Sequence, residues 1–327
     1  MRVQDAPELP ADKQRLYRKA VRLQWFSVVY LLSAIVLLAL TLGSSQAMKA
    51  AWTEDILSLA PPIAFLVASR VHDRAPDAQF PYGYHRSIGI AYLSAALALL
   101  TLGAYILYES VAKLIAFERP SIGLVELGGQ QVWLGWLMIP ALLYSAIPPV
   151  FLGRAKARLA EQLHDKVLYA DGEMNRADWM TGLAAILGVL GIGAGIWWAD
   201  AVAATVISLD IVRDGVVNVR TAVGDLMDSR PKRYDHSAPH PLPRRVLEEL
   251  LAMDWVADAR VRLREEGHVF AGDVLVVPRP GVDVVTRLVE TTEQLKRLDW
   301  RLQDLVISPV DRIEDVRPEP DPAEIPG

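Results

Sequence analysis

Cysteine is absent from the 327 residues, which excludes disulfide bonds, thiolate metal sites and cysteine nucleophiles together. An excess of positive charge is also missing, because 34 Lys and Arg stand against 39 Asp and Glu, so there is no basic footprint for nucleic acid. Glycine-rich phosphate loops, GxSxG elbows and HExxH helices are not found either. We therefore expect neither an enzyme nor a nucleic-acid-binding protein.

Apolar residues are abundant instead. They make up 52% of the chain, and the mean hydropathy of +0.22 lies above the usual globular balance. A membrane-spanning helix needs about 20 mostly apolar residues. Six segments come close to that length: 23–42, 47–71, 87–115, 133–153, 177–198 and 201–218. The sequence therefore predicts an α-helical membrane protein with six transmembrane helices.

The distribution of Lys and Arg predicts the orientation. They are concentrated in the arm 1–22 and in the loops 70–86 and 154–176, and are nearly missing from the other loops. By the positive-inside rule, both termini are expected in the cytoplasm. No targeting segment is recognised, and the lack of cysteine suits a bacterial inner membrane.

The sequence changes character after the predicted membrane domain, 23–228. Residues 229–243 are rich in Pro and charge, as in a linker. Residues 244–312 alternate between helical and strand periodicity in the order αββαβ, which predicts a small cytoplasmic α+β domain of ferredoxin-like type. The composition of 313–327 predicts a disordered tail.

Four acids draw attention within the apolar segments: Glu54, Asp55, Asp178 and Asp210. A carboxylate in the bilayer is costly and is retained mainly where it faces a partner or an ion. Asp55 is either a ligand or an interfacial neighbour of Glu54. Asp210 is either functional or part of a structural ion pair with Arg213 and Asp214.

Two predicted helices place these acids beside other polar atoms. Glu54 and Ser58 share one helical face, and Pro61-Pro62 must bend or interrupt the helix just beyond them. Pro62 lacks the amide that would bond the Ser58 carbonyl, which frees an acceptor near Glu54.

Asp178 lies on two overlapping faces of the fifth predicted helix. One face carries Met174, and the other carries Asp171 and Asn175. Asp171 and Glu173 either line an entrance or only complement the helix dipole. Carboxylates from two helices with oxygen, amide or thioether neighbours predict a divalent-cation site, and hence ion transport.

Three stretches resemble the cation diffusion facilitator family of metal-cation/proton antiporters. They are FPYGYHRSIGIAYLSAALALL at 80–100, LYADGEMNRADWMTGLAAILG at 168–188 and WWADAVAATVISLDIVRDG at 197–215. The resemblance extends from about residue 15 to residue 312.

The resemblance implies a central site of two acids four apart on helix two, with His or Asp four before an Asp on helix five. Glu54 and Ser58 fall on the first pair, and Met174 and Asp178 on the second, so two of the four ligands are altered. Losing the imidazole favours oxygen-rich coordination and Mn²⁺, Fe²⁺ or a broad preference. Met174 would favour a softer ion, although a lone Met is more often packing.

Secondary sites known in the family are altered as well. Phe80 and Tyr84 occupy positions where some members have His, with His85 adjacent. In the C-terminal domain, metal bridging looks lost, although His236, His240 and His268 remain as candidates.

As a function, the resemblance implies a secondary transporter that exports divalent cations of the Zn/Mn/Fe/Co class by proton antiport and alternating access. It also implies a homodimer joined through the cytoplasmic domain, with metal ions and protons as substrates and no tightly bound cofactor. The alternative is a degenerate member that acts as a membrane regulatory or scaffold protein.

Overall fold

The computed structural model describes residues 9–41, 46–72, 74, 77–81, 83–117, 123–127, 130–193, 196, 198–235 and 237–313. The bundle helices are α1 Ala11–Thr41, α2 Gln46–Leu57, α3 Ala60–His72, α4 Arg86–Ile115, α5 Gly135–Leu163, α6 Lys166–Gly193 and α7 Ala199–Leu226. A hairpin of β1 Leu124–Leu127 and β2 Gln130–Trp133, which the sequence pattern did not predict, precedes α5. The C-terminal elements are α8 Leu242–Leu251, β3 Val256–Glu266, β4 Val269–Pro278, α9 Val284–Leu298 and β5 Leu302–Pro309.

Three of the described helices, α1, α4 and α5, are long and apolar enough to cross a membrane. Many of their large apolar side chains point outward; for example, Leu40 and Val29 are 79% and 64% exposed. A hydrocarbon solvent explains such a surface, whereas water would not. The chain is therefore an integral membrane protein.

The helices are longer than the apolar segments predicted. Residues 11–22 of the expected N-terminal arm belong to α1, and the expected loop 154–176 is almost wholly helical. Only His164 and Asp165 separate α5 from α6, and His164 adopts the left-handed conformation that ends a helix. Hydropathy finds the part of a helix that lies in lipid, but not its polar continuation.

The second apolar segment is divided, as its prolines predict. The α2 helix ends at Leu57 and α3 begins at Ala60, with a turn at Ser58 and Leu59 between them. Pro61 and Pro62 fit the first turn of α3, where their missing amide hydrogens cost no intrahelical hydrogen bond. The turn places Ser58, which is fully buried, at the break.

Small residues allow the closest helix contacts. A Cβ on Gly215 of α7 would lie 2.7 Å from the Leu100 Cα of α4. A Cβ on Gly182 of α6 would lie 2.7 Å from the Ala146 Cβ of α5. Such close approach is typical of helix packing in membranes. It holds α4 against α7 and α5 against α6.

The C-terminal elements follow the predicted αββαβ order. Their sheet has the order β3-β4-β5, with β3 antiparallel and β5 parallel to the central β4. Phe270, Val274 and Val276 of β4 are fully buried against α8 and α9. Two expectations fall on residues outside the described part of the chain. They are the disordered tail, of which only Ile313 is described, and the candidate ligand His236.

The C-terminal sheet is docked on one end of the bundle. Lys166 at the start of α6 bonds Asp225 of α7 at 2.6 Å and Glu265 of β3 at 2.8 Å. The β3–β4 turn reaches the start of α4, where a Cβ on Gly267 would lie 2.7 Å from Ile88 Cδ1. This end of the bundle is called the junction below.

Candidate metal centre

The break in the second segment faces the middle of α6. The Ser58 hydroxyl donates to the Asp178 carboxylate at 2.6 Å, and the Thr181 hydroxyl donates to Glu54. All four side chains are buried. Two carboxylates from separate helices are therefore brought into one polar cluster, which we call the central cluster.

Asp55 belongs to a neighbouring contact with α5. Ser145 Oγ lies 3.0 Å from each of its carboxylate oxygens. The backbone carbonyl of Ser145 in turn accepts a hydrogen bond from the Tyr30 hydroxyl of α1 at 2.7 Å. Asp55 thus points to α5, while Glu54 points to α6.

The central acids have hydroxyl partners and no cationic ones. Within the described residues, no Lys, Arg or His forms an ion pair with Glu54, Asp55 or Asp178. The second oxygen of Asp178, Oδ2, is buried and has no hydrogen-bond partner among the described residues. Buried carboxylate oxygens ordinarily have a donor or a cation opposite them. This oxygen is therefore the first atom available to a metal ion.

A cavity of about 70 Å³ adjoins these acids. Its walls include Glu54, Asp55 and Asp178, together with Ser145 and Thr181. A water molecule needs only about 10–15 Å³ of such volume, so the cavity has room for a cation with several waters.

The cavity lies in the half of the bundle away from the junction. It is lined by the C-terminal part of α4, from Ile106 to Lys113, whereas Ile88 near the start of α4 touches the C-terminal domain. With a rise of about 1.5 Å per residue, these two ends are roughly 30 Å apart. The acids are therefore approached from the side opposite the C-terminal domain.

Met174 and Asn175 lie on the junction side of Asp178. Met174 is fully buried in an apolar cluster with Leu99, Leu102 and Ile211. Asn175 is 2% exposed, and its Oδ1 has no hydrogen-bond partner in the described part of the chain. Neither residue lines the cavity. The apolar side chains packed around Met174 therefore fill the bundle between Asp178 and the junction.

Asp171 has a cationic partner, in contrast to Asp178. Its carboxylate lies 2.8 Å from the Lys156 ammonium and accepts a 2.6 Å hydrogen bond from Gln24. All three side chains have zero exposure. In this conformation, Asp171 of α6 is an interior ion-pair partner.

Asp210 is also ion-paired. The Arg176 guanidinium lies 2.7 Å from Asp210, 3.0 Å from Glu173 and 3.6 Å from Asp214. The expected partner of Asp210 was Arg213; the structure shows Arg176 instead. Because the Asp210 side chain is 40% exposed, it lies outside the central cluster.

Three of the candidate histidines, His85, His240 and His268, lie at the junction. His85 precedes α4, and burial lowers its pKa. The ring of His164 stands edge-on to His240, with centroids 5.2 Å apart, and its Nε2 lies 3.4 Å from Glu265. His268 Nε2 lies 3.6 Å from Asp165 Oδ2. These groups link the two domains.

Burial sets the protonation of the junction. It raises the pKa of Asp165 to about 7 and lowers the pKa of His268 to about 4. Burial and the charges of Arg301 and His164 lower the pKa of His240 to about 3. The neutral forms of Asp165, His240 and His268 are therefore favoured, because an uncompensated buried charge is costly.

Among the described residues, no three His, Asp or Glu side chains converge closely enough to hold a metal ion by themselves. Any metal bound at the central cluster would have to combine its two carboxylates with hydroxyl, carbonyl or water oxygens. Such oxygen-rich coordination suits hard divalent cations.

Several residues of the site were not anticipated from the sequence. Thr181 and Ser145 are hydroxyls in helices, a position that carries little signal. In the sequence analysis, Lys156 contributed only to the Lys and Arg count that predicts the orientation in the membrane. Glu109 and Lys113 lie in the segment 87–115, and the rule for intramembrane acids could have found them.

These features define a class of protein, an integral membrane protein that handles cations and has carboxylates buried between its helices. Residues 23–227 match the cation efflux transmembrane domain. The chain belongs to this family, the cation diffusion facilitators, which confirms the resemblance.

Curated relatives agree with this assignment. The manganese efflux system protein MneP of Bacillus subtilis is 23% identical over 278 residues, covering 81% of this chain and 85% of MneP. The manganese efflux system protein MneS of the same organism is 24% identical over 182 residues, covering 56% and 59%. Magnetosome protein MamB of Paramagnetospirillum magneticum is 27% identical over 165 residues, covering 49% and 50%. The chain thus spans about three fifths of MneS and half of MamB.

Proposed function

We propose that this metal cation transporter exports divalent cations from the cytoplasm, with Glu54 and Asp178 as the carboxylate ligands. The observation that carries the proposal is the buried Oδ2 of Asp178, which has no hydrogen-bond partner among the described residues and belongs to a side chain lining the cavity. Ser58 and Thr181 supply further oxygens, and Asp55 stands in the same cavity wall.

The donor chemistry favours Mn²⁺ within the Zn/Mn/Fe/Co class. Carboxylate, hydroxyl and water oxygens suit Mn²⁺, whereas selective Zn²⁺ sites use nitrogen and sulfur ligands. Met174 does not favour a softer ion here, because apolar side chains enclose it and leave its sulfur unavailable as a ligand. The manganese efflux proteins among the relatives support the same choice.

Proton exchange would use the same carboxylates. The predicted spans contain no His, so Glu54 and Asp178 are the groups in the central cluster that can take up protons when the metal leaves. Alternating access would require the packing around Met174 to part, because it closes the bundle between Asp178 and the junction.

The wider architecture belongs to the same proposal. Six transmembrane spans, with α2 and α3 forming one of them, would place both termini and the ferredoxin-like domain, 244–312, in the cytoplasm of a bacterium. The domain would join two protomers as a homodimer. The count of Lys and Arg in the predicted loops supports this orientation.

Uptake of Mn²⁺ into proteoliposomes tests the function. We expect wild-type protein to move Mn²⁺ faster with an opposing pH gradient, and Asp178→Asn to reduce the rate at least about 100-fold. Asp210→Asn is the matched control, because that acid is ion-paired outside the central cluster. The same assay with Zn²⁺, Fe²⁺ and Co²⁺ measures the ion selectivity. Wild-type flux in Asp178→Asn would show that the central cluster is not the transport site.

A second candidate function is a non-transporting regulatory or scaffold protein. The lack of three converging His, Asp or Glu side chains in the described residues favours it. This alternative predicts no ion flux above empty liposomes for any of the four metals, with or without a pH gradient.

A further inference from the structure

An additional ion pair lines the cavity beyond the central cluster. Glu109 and Lys113 lie one turn apart on α4, with Glu109 Oε1 2.7 Å from Lys113 Nζ. Their side chains are 22% and 23% exposed, so the pair stands between the buried acids and the outside. Both residues are part of the wall that also contains Glu54 and Asp178.

One stripe of α4 forms this wall. Ile106, Glu109, Ser110 and Lys113 follow the spacing that aligns residues on one helical face. The stripe is apolar near the centre of the bundle and charged near the end of the helix. A cation leaving Asp178 along the cavity therefore passes Glu109 before it reaches the bulk solvent.

The charges of the cavity wall are unbalanced. It contains four acids, Glu54, Asp55, Glu109 and Asp178, and one base, Lys113. Lys113 can neutralise only one carboxylate at a time, and in this conformation it is bound to Glu109. A divalent cation arriving at Glu109 would compete directly with the Lys113 ammonium.

The simplest alternative is a structural role at a helix end. Lys113 lies in the last turn of α4, where a positive charge complements the helix dipole. That role, together with an i,i+4 Glu–Lys pair on the helix, accounts for both charges, but not for the position of Glu109 in the wall of a cavity that contains three other acids. Glu109 is better explained by the cavity that it lines.

We infer that Glu109 is an exit-side ligand that receives the cation from the central cluster, and that Lys113 is the tethered counter-ion that the cation displaces. The inference rests on the proposed function. It assigns two different roles to the acids of one cavity: tight binding at Glu54 and Asp178, and release at Glu109.

The test compares binding with transport in the full-length protein. For Glu109→Gln, we expect the affinity for Mn²⁺ in detergent to stay within about threefold of wild type, and the maximal transport rate to fall about 10- to 100-fold. Glu109→Asp, which keeps the charge, should retain most of the rate. Glu161→Gln, an exposed acid near the end of α5, is the control for loss of charge.

Lys113→Gln tests the counter-ion separately. Without the ammonium, Glu109 holds the departing cation longer, so Mn²⁺ on the exit side should inhibit transport at about tenfold lower concentration. An unchanged inhibition constant would contradict the role of Lys113.

Two outcomes would overturn the role of Glu109. Wild-type transport by Glu109→Gln would show that this carboxylate is not on the path, and loss of Mn²⁺ binding would place it in the central cluster instead. Either result leaves the proposed function intact if Asp178→Asn still abolishes flux. Wild-type flux in Asp178→Asn would refute the proposed function itself.

Discussion

Buried or nearly buried acids occur in two regions of this molecule, and the two regions differ in the groups that face these acids. At the junction, Asp225 and Glu265 share the ammonium of Lys166 at 2.6 and 2.8 Å. In the central cluster, Glu54 and Asp178 face hydroxyls. An acid with an internal cation contributes to folding, whereas an acid without one is suited to binding a cation from outside.

The same contrast recurs within α6. Asp171 and Asp178 are seven residues apart, or about 10 Å along the axis. Asp171 is bound to Lys156, while Asp178 receives one hydrogen bond on one oxygen. Position in a sequence motif does not distinguish them; the neighbouring helix α5 does, because it supplies a Lys to one and not to the other.

The largest expected effect comes from breaking the Asp171 pair. Lys156→Met should lower the free energy of unfolding by about 3–5 kcal/mol, because it leaves a fully buried carboxylate unpaired. The double variant Lys156→Met/Asp171→Asn should recover most of that loss. Thermal unfolding in detergent measures both, and a double variant as unstable as the single one would contradict the pairing.

A smaller loss is expected at the junction. Lys166→Met should cost about 1.5–3 kcal/mol, since Lys166 binds two acids but borders a cavity where water can replace it. The variant should also expose the linker to protease. Arg244→Met is the control, because its ion pair with Glu248 on α8 is exposed. Equal effects of the two substitutions would count against a special role for Lys166.

Substitution of an acid in the central cluster should not lower the stability of the protein, in contrast to the two lysine substitutions. Asp178→Asn should leave stability unchanged or raise it by about 1 kcal/mol, because Asp178 has no ion-pair partner in the described part of the chain and Ser58 can still donate to the amide oxygen. The apparent melting temperature without metal tests this. Stabilisation of wild type by added Mn²⁺ should disappear in the variant. If Asp178→Asn destabilised the protein as much as Lys156→Met, the acids of the two regions would not differ in their contribution to stability.

The pH dependence should be the smallest effect. The folded-state pKa of His268, about 4, is below the unfolded value near 6.5, so its contribution to stability is lost as the pH falls through that window. The raised pKa of Asp165 acts in the opposite sense, because stability is gained as the pH falls below about 7, and it offsets the loss from His268 in the wild type. Between pH 7.5 and 6, His268→Asn should therefore lose about 1 kcal/mol less stability than wild type. A steeper loss in the variant would contradict the assignment.

Much of the fold follows from periodicity alone. The broken second helix follows from Pro61 and Pro62, and the αββαβ order follows from alternating patterns within residues 244–312. The helix ends around 154–176 were missed, since Lys and Arg in a helix that leaves the membrane look the same as Lys and Arg in a loop. The β1–β2 hairpin was missed because its two four-residue strands are too short for a periodic signal.

The site is less predictable, because its partners come from other helices. The rule for intramembrane acids indicates Asp178 and Glu54. It cannot indicate that Thr181 bonds Glu54, or that Lys156 lies beside Asp171, since these contacts depend on how α2, α5 and α6 are rotated. A sequence specifies which charges are buried long before it specifies which of them are paired.

A single helix, α4, runs from the junction to the cavity beside the central cluster. Near its start, Ile88 is in contact with the turn at Gly267, and near its end Glu109 stands in the cavity wall. A rigid rod pivoting by about 5° over the roughly 30 Å between them moves its far end by about 3 Å. That displacement exceeds a metal–oxygen bond length of about 2 Å, so if Glu109 is the exit-side ligand inferred above, a slight rocking of the C-terminal domain would make or break its coordination.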